Sequence, residues 1–127
     1  MIPEELRYTE KHAWVLRTGE ERVRVGITDD AQERLGAIVS VQLPRVGDVL
    51  TAGQRMGQVK STQAAFDVYA PLAGKVVAVN DELAATPGEI NEDPYGLGWL
   101  VEIDLTDVGE LDNLLDPAAY QELASQG

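Results

Sequence analysis

Between Tyr8 and Leu105 the apolar residues come in short, often alternating stretches cut by Gly, Pro, Asn and Asp. Side chains alternate faces along a strand, so such runs fold as half-buried strands joined by tight turns. The chain is expected to be mainly β. Ala13 to Leu16 and Arg22 to Val25 flank Thr18-Gly19-Glu20-Glu21 as a hairpin, and Ala37 to Gln42 reads as a strand until Leu43-Pro44 ends it. Thr28 before Asp29, Asp30, Ala31 and Gln32 marks a helix start, with Gly36 as its stop, so one short helix near residues 29–35 is expected. Further strands are expected over Arg55 to Val59, Ala65 to Ala70, Lys75 to Val79 and Trp99 to Ile103, with Lys60 to Gln63 as a hairpin tip and Asn80 to Asp93 as an irregular loop.

After Leu105 the period changes. Asp107 with Glu110 suits a capping box, Leu111, Leu114 and Leu115 form a stripe, and Asp116-Pro117 opens a second helix through Tyr120 and Leu123. No low-complexity linker separates the two parts, so residues 1–127 are expected to form a single domain.

With 44% apolar and 25% charged residues, 127 residues suffice for one core. The 22 acidic against 10 basic side chains give a net charge of -12, which repels phosphate backbones and anionic lipid surfaces, so neither nucleic acid nor membrane is expected as a partner. The start, MIPEELRYTE, is polar, and no apolar run approaches the roughly 18 residues of a membrane span; a cytoplasmic protein is expected. Cysteine is absent, which removes disulfides, thiolate catalysis and cysteine-ligated zinc.

Catalytic and metal sites are not expected. His12 is the sole histidine, and single histidines are mostly structural. Asp29-Asp30, Glu20-Glu21 and Glu92-Asp93 lack the alternating ligand spacing of a calcium loop and read as solvated turns. Ser61 has neither a nearby histidine motif nor nucleophile-elbow glycines, and Gly96-Leu97-Gly98 is too short for a dinucleotide fingerprint.

Several ordered motifs together resemble one family. They include Tyr8-Thr9, His12 and Trp14, Val25-Gly26-Ile27-Thr28-Asp29, Ala31-Gln32, Leu35-Gly36, Leu43-Pro44, Asp67-Val68-Tyr69-Ala70-Pro71, Gly74-Lys75-Val76, Val79-Asn80, Ile90-Asn91, Asp93-Pro94-Tyr95-Gly96 and Gly98-Trp99. In order and spacing, over nearly the whole chain, they resemble the H protein of the glycine cleavage system, a lipoyl carrier. The resemblance implies a barrel-sandwich hybrid of two small sheets, a hairpin presenting a lipoyl lysine, and C-terminal helices alongside. It further implies an arm that takes an aminomethyl group from a decarboxylase, delivers it to a folate-dependent transferase and is reoxidised by a flavoenzyme, the carrier itself doing little chemistry.

The hairpin departs from that pattern. Where the family reads glutamate, serine, a variable residue and the lipoyl lysine, this chain has Lys60, Ser61, Thr62 and Gln63. Lipoate is joined through an amide to a lysine amine, and the carboxamide of Gln63 offers none. Lys60 is the substitute amine, disfavoured because a shift of three positions changes direction and reach. The resemblance also marks Ala13, Asp30, Ala37, Ser40 and Phe66 as departures around the hairpin and its cleft.

These departures lead to the expectation of a non-lipoylated protein-binding module on an H-protein scaffold, produced by drift or by engineering. It has no cofactor, and it binds an unidentified protein through Gln63, Phe66, Lys60, Thr62, Ala64, Ala13, Asp30, Ala37 and Ser40. Phe66 either anchors that face or turns inward beneath the hairpin. The alternative is a glycine cleavage H protein serving that system's enzymes, either lacking the attachment lysine or lipoylated at Lys60.

Overall fold

The computed structural model describes residues 6–126; residues 1–5, half of the polar start, lie outside the described residues. Among the described residues, nine strands form two antiparallel sheets. Strands β1 (Arg7–Tyr8), β2 (Ala13–Arg17), β3 (Arg22–Ile27), β9 (Val101–Leu105), β8 (Gly74–Val79) and β5 (Val49–Leu50) make one sheet in that order, and β4 (Ile38–Gln42), β6 (Arg55–Ser61) and β7 (Ala65–Tyr69) make the other. The α-helices among the described residues are α1 (Asp29–Leu35), α2 (Glu89–Glu92) and α3 (Pro117–Gln126).

Alternation decides which face each strand buries. In β3, Val23, Val25 and Ile27 are fully buried while Arg22 and Arg24 face out; β9 buries Val101, Ile103 and Leu105 and turns Glu102 and Asp104 outward. The register puts Arg22 opposite Asp104 and Arg24 opposite Glu102, with ion pairs of 2.7 and 3.3 Å. Solvent screens such surface pairs and leaves them little net worth, whereas each buried aliphatic side chain contributes about 1.5–3 kcal/mol. The inward rows therefore hold the sheets together.

A second apolar cluster lies beneath α3, built from Leu6, Tyr8, Trp14 and Tyr120. Trp14 donates its indole N–H to the Pro94 carbonyl at 2.8 Å and lies across Gly26 on β3. A Cβ on Gly26 would stand 2.6 Å from the indole, closer than any real contact. Gly26→Ala is therefore expected to cost about 1–3 kcal/mol by overpacking, read as a lower urea midpoint with an unchanged slope.

The α1 helix forms where the sequence predicts it. Thr28 Oγ1 accepts from Ala31 N at 3.2 Å, and Gly36 ends the helix at φ 82°, a backbone position open to glycine. At the C-terminus Asp116 Oδ1 accepts from Ala119 N at 2.8 Å and opens α3 as expected.

Other expectations need correction. The segment Asn80 to Asp93 is not irregular: it holds a 3-10 turn over Asp81–Ala84 and α2, because Leu83 and Ile90 are fully buried and fold their neighbours around them. The stripe Leu111, Leu114 and Leu115 belongs to a 3-10 segment (Val108–Asn113) and the extended residues after it. Asp107 caps it by accepting from Gly109 N at 2.9 Å, without a reciprocal bond from Glu110. Strand β6 runs on through Lys60 and Ser61, so the tip is shorter than Lys60 to Gln63. None of the described helices is long and apolar enough to cross a membrane.

Candidate functional site

The β6–β7 hairpin ends in a tight turn. Ser61 N donates to the Ala64 carbonyl at 2.8 Å, while Ser61 Oγ accepts from Gln63 N and Ala64 N at 3.1 and 3.0 Å. Serine can close a turn in this way because its hydroxyl reaches the backbone two and three residues on. Thr62 and Gln63 are left exposed at its crest, with Ala64 beside them.

A second anchor comes from the loop after α1. Thr62 N donates to the Ala37 carbonyl at 3.2 Å, and Gln63 Nε2 comes within 3.3 Å of where a Cβ on Gly36 would stand. That loop is pinned from behind by Asn91 of α2. Asn91 Nδ2 donates to the Gly36 carbonyl and to Gln32 Oε1, both at 2.9 Å, and Asn91 Oδ1 accepts from Ile38 N at 2.9 Å. Gln32 in turn donates to Asp29 Oδ1 at 2.8 Å. The tip is thus tied through one loop to two helices.

Register places Lys60 between Ser40 on β4 and Ala65 on β7. All three are exposed, and residues directly opposite one another share a face, so Lys60 stands between two small side chains. Its neighbour Val59 points the other way and is fully buried opposite Phe66. Phe66 is half-buried and packs against the main core. This decides its open alternative: Phe66 turns inward beneath the hairpin.

The expected binding residues therefore divide. Lys60, Thr62, Gln63, Ala64, Ala37 and Ser40 share the exposed tip and the adjacent strand edge. Ala13 is corrected to an interior residue: it is only 2% exposed, paired with Ile27, and its methyl lies in the main core. Asp30 sits on the first turn of α1, joined to a separate cluster under α3.

That cluster is a chain of polar contacts. Tyr120 OH lies 2.7 Å from both His12 Nδ1 and Thr28 Oγ1, and Tyr120 stacks on Tyr8 with ring centroids 4.7 Å apart. Burial pushes the Tyr120 phenol up to about 12, so its hydroxyl stays protonated. Asp30 Oδ2 lies 2.9 Å from Arg34 Nε and 3.6 Å from His12 Nδ1, yet it is buried without an in-line hydrogen bond. His12 closes the β1–β2 turn at φ 65°, a left-handed position that costs a non-glycine residue some strain.

Burial lowers the His12 pKa below its ordinary value of about 6.5; Asp30 opposes this and Arg34 assists it. The unfolded chain therefore takes up this proton first as pH falls, so the contribution is complete above pH ~6.5 and is lost below it. Urea midpoints should drop between pH ~7 and ~5 more for the native chain than for His12→Asn, which tolerates the left-handed turn without titrating.

The sequence reading missed a groove of about 250 Å³ near the base of β7, lined in part by Tyr8, Thr9, Lys11, Tyr69 and Leu115. Lys11 Nζ lies 5.7 Å from the Tyr69 ring centroid across it. Its residues come from separated segments, so no local pattern announces it.

With this geometry in place, residues 6–127 match the family model described as Glycine cleavage H-protein. The chain belongs to the glycine cleavage H-protein family. It is 54% identical over 125 residues to the glycine cleavage system H protein of Nocardia farcinica, covering 95% of each chain. It is 49% identical over 126 residues to that of Mycobacterium tuberculosis, covering 94% of each. The crystal structure of an H protein from Mycobacterium marinum superposes with a TM-score of 0.85 at 42% identity, covering 98% of both chains. The fold is the barrel-sandwich of that family.

Two expectations are overturned. Full-length similarity to H proteins of bacteria replaces the reading as an engineered or drifted, non-lipoylated binding module with the H-protein alternative. The expectation of no cofactor also fails, since this family consists of lipoate carriers. H proteins are carriers and not catalysts, in accord with the expectation that the chain is no enzyme.

Proposed function

We propose that this chain is the H component of a glycine cleavage system, a cytoplasmic carrier in which residues 1–127 act as one domain. The observation that carries this reading is the braced hairpin tip, within a chain that matches the family over residues 6–127. The exposed residues Thr62, Gln63, Ala64, Ala37 and Ser40 are the surface offered to the decarboxylase and transferase. A tip tied by Thr62 N and Asn91 loses little conformational freedom on docking, which favours affinity.

Lipoate needs an amine on this hairpin. Gln63 does not fit, because a carboxamide nitrogen is not nucleophilic; Lys60 fits, as an exposed primary amine on the same hairpin. Lys60 would hold the group as an amide, and the group would supply a redox-active disulfide at the end of a flexible arm. The chain's own part is to hold the hairpin rigid and keep its outer face clear of large side chains.

Competition tests the docking. The purified chain, added to glycine cleavage enzymes turning over with a lipoylated relative, should raise the apparent KM for that relative and leave kcat unchanged. No rise at tenfold excess, together with no binding to either enzyme by surface plasmon resonance, overturns the assignment.

A further inference from the structure

We propose that Lys60 is the N-acylation site of this chain, its ε-amino group taking a lipoyl-type carboxylic acid as an amide. The inference rests on the carrier reading above. The sequence holds three lysines, Lys11, Lys60 and Lys75, and their settings differ. Lys11 lies over the Tyr69 ring, and Lys75 sits within β8 between Val49 and Asp104. Lys60 alone is on the projecting hairpin, and no ion pair holds its ammonium among the described residues.

Its surroundings favour access. An active site that acylates a lysine must close around the end of the four-carbon stem, which requires short neighbours on that face. Ser40 and Ala65 are the flanking residues, and both are small and exposed. The backbone beneath is firm, because Lys60 lies in the central strand of the β4-β6-β7 sheet, one residue before the Ser61-closed turn. The crest residue Gln63 lies back against Gly36, so it leaves Lys60 uncovered.

The step balances with an acyl-adenylate as the activated donor. The neutral amine attacks the acyl carbon, a C–N bond forms, and the C–O bond to the phosphate breaks. Adenosine monophosphate leaves with that electron pair, and the amine proton passes to solvent. Nothing is oxidised or reduced, and one positive charge disappears from the hairpin.

The experiment is incubation of the full chain with a lipoate–protein ligase, lipoate and ATP, read by intact mass and peptide mapping. Lys60→Arg and Gln63→Lys are treated in parallel, and equal melting temperatures confirm that both fold. A single lipoyl increment on the native chain, mapped to Lys60 and absent from Lys60→Arg, is the expected result. An increment that survives in Lys60→Arg overturns the assignment by placing the amide on Lys11 or Lys75. An increment confined to Gln63→Lys overturns it too, while leaving the carrier scaffold recognised. No increment on any of the three, in an assay that loads the unmodified form of a relative, overturns Lys60 and the acylation hairpin together.

Discussion

Tyr120→Ala is expected to cost about 3–5 kcal/mol, lowering the melting temperature by roughly 10–20 °C for a chain of this size. The ring is fully buried, stacked on Tyr8 at an interplanar angle of 14°, and is the residue through which α3 enters the second cluster. Truncation leaves a cavity against Tyr8 and Trp14, and it strands His12 Nδ1 and Thr28 Oγ1 without their shared partner. Tyr120→Phe separates these two losses, since it keeps the ring and removes only the hydroxyl; it should cost about 1–2 kcal/mol. Urea denaturation followed by circular dichroism measures both. A cost below ~1 kcal/mol for the alanine variant would mean that α3 is an independent appendage, and the His12 pH effect would then have to originate elsewhere.

The second cluster also shows where sequence reading stops. Tyr120 was legible as one apolar residue of a terminal helix, because Asp116-Pro117 signals the start and the spacing to Leu123 gives the face. That its hydroxyl meets His12 and Thr28, more than ninety residues away, was not legible, because nothing local encodes such a contact. Thr28 itself was predictable as a cap, since a cap acts within three residues. The hairpin was legible in register but not in orientation: alternation around Val59 fixes Lys60 outward and Phe66 inward only once the β6–β7 pairing is known. The segment Asn80 to Asp93 failed for a different reason. Pro87, Gly88 and its acids give turn signals, yet Leu83 and Ile90 are fully buried, and tertiary burial overrides local preference. Asn91, the residue that braces the tip, lies inside that stretch.

Asn91→Ala should therefore act on the hairpin tip from a distance. The change removes the acceptor for Ile38 N and the donor to the Gly36 carbonyl, in a half-buried site where each unpaired group costs about 1–3 kcal/mol. With partial relaxation the loss should reach about 2–4 kcal/mol, and it is local in origin. Residues 36–38 carry the carbonyl that accepts from Thr62 N, so amide exchange at Thr62 should quicken tenfold or more, while the Tyr8 amide, bonded to Leu115, keeps its protection relative to global unfolding. Asn91→Asp discriminates further. A carboxylate retains the acceptor for Ile38 N but faces the Gly36 carbonyl and Gln32 Oε1 with no hydrogen to give. Its pKa should be raised by those oxygens, so the variant should lose stability as pH rises through the carboxylate range, opposite in sign to the His12 effect. If Thr62 exchange is unchanged in both variants while stability falls, the Ser61 turn alone holds the tip, and the α1–α2 brace serves the core rather than the docking surface.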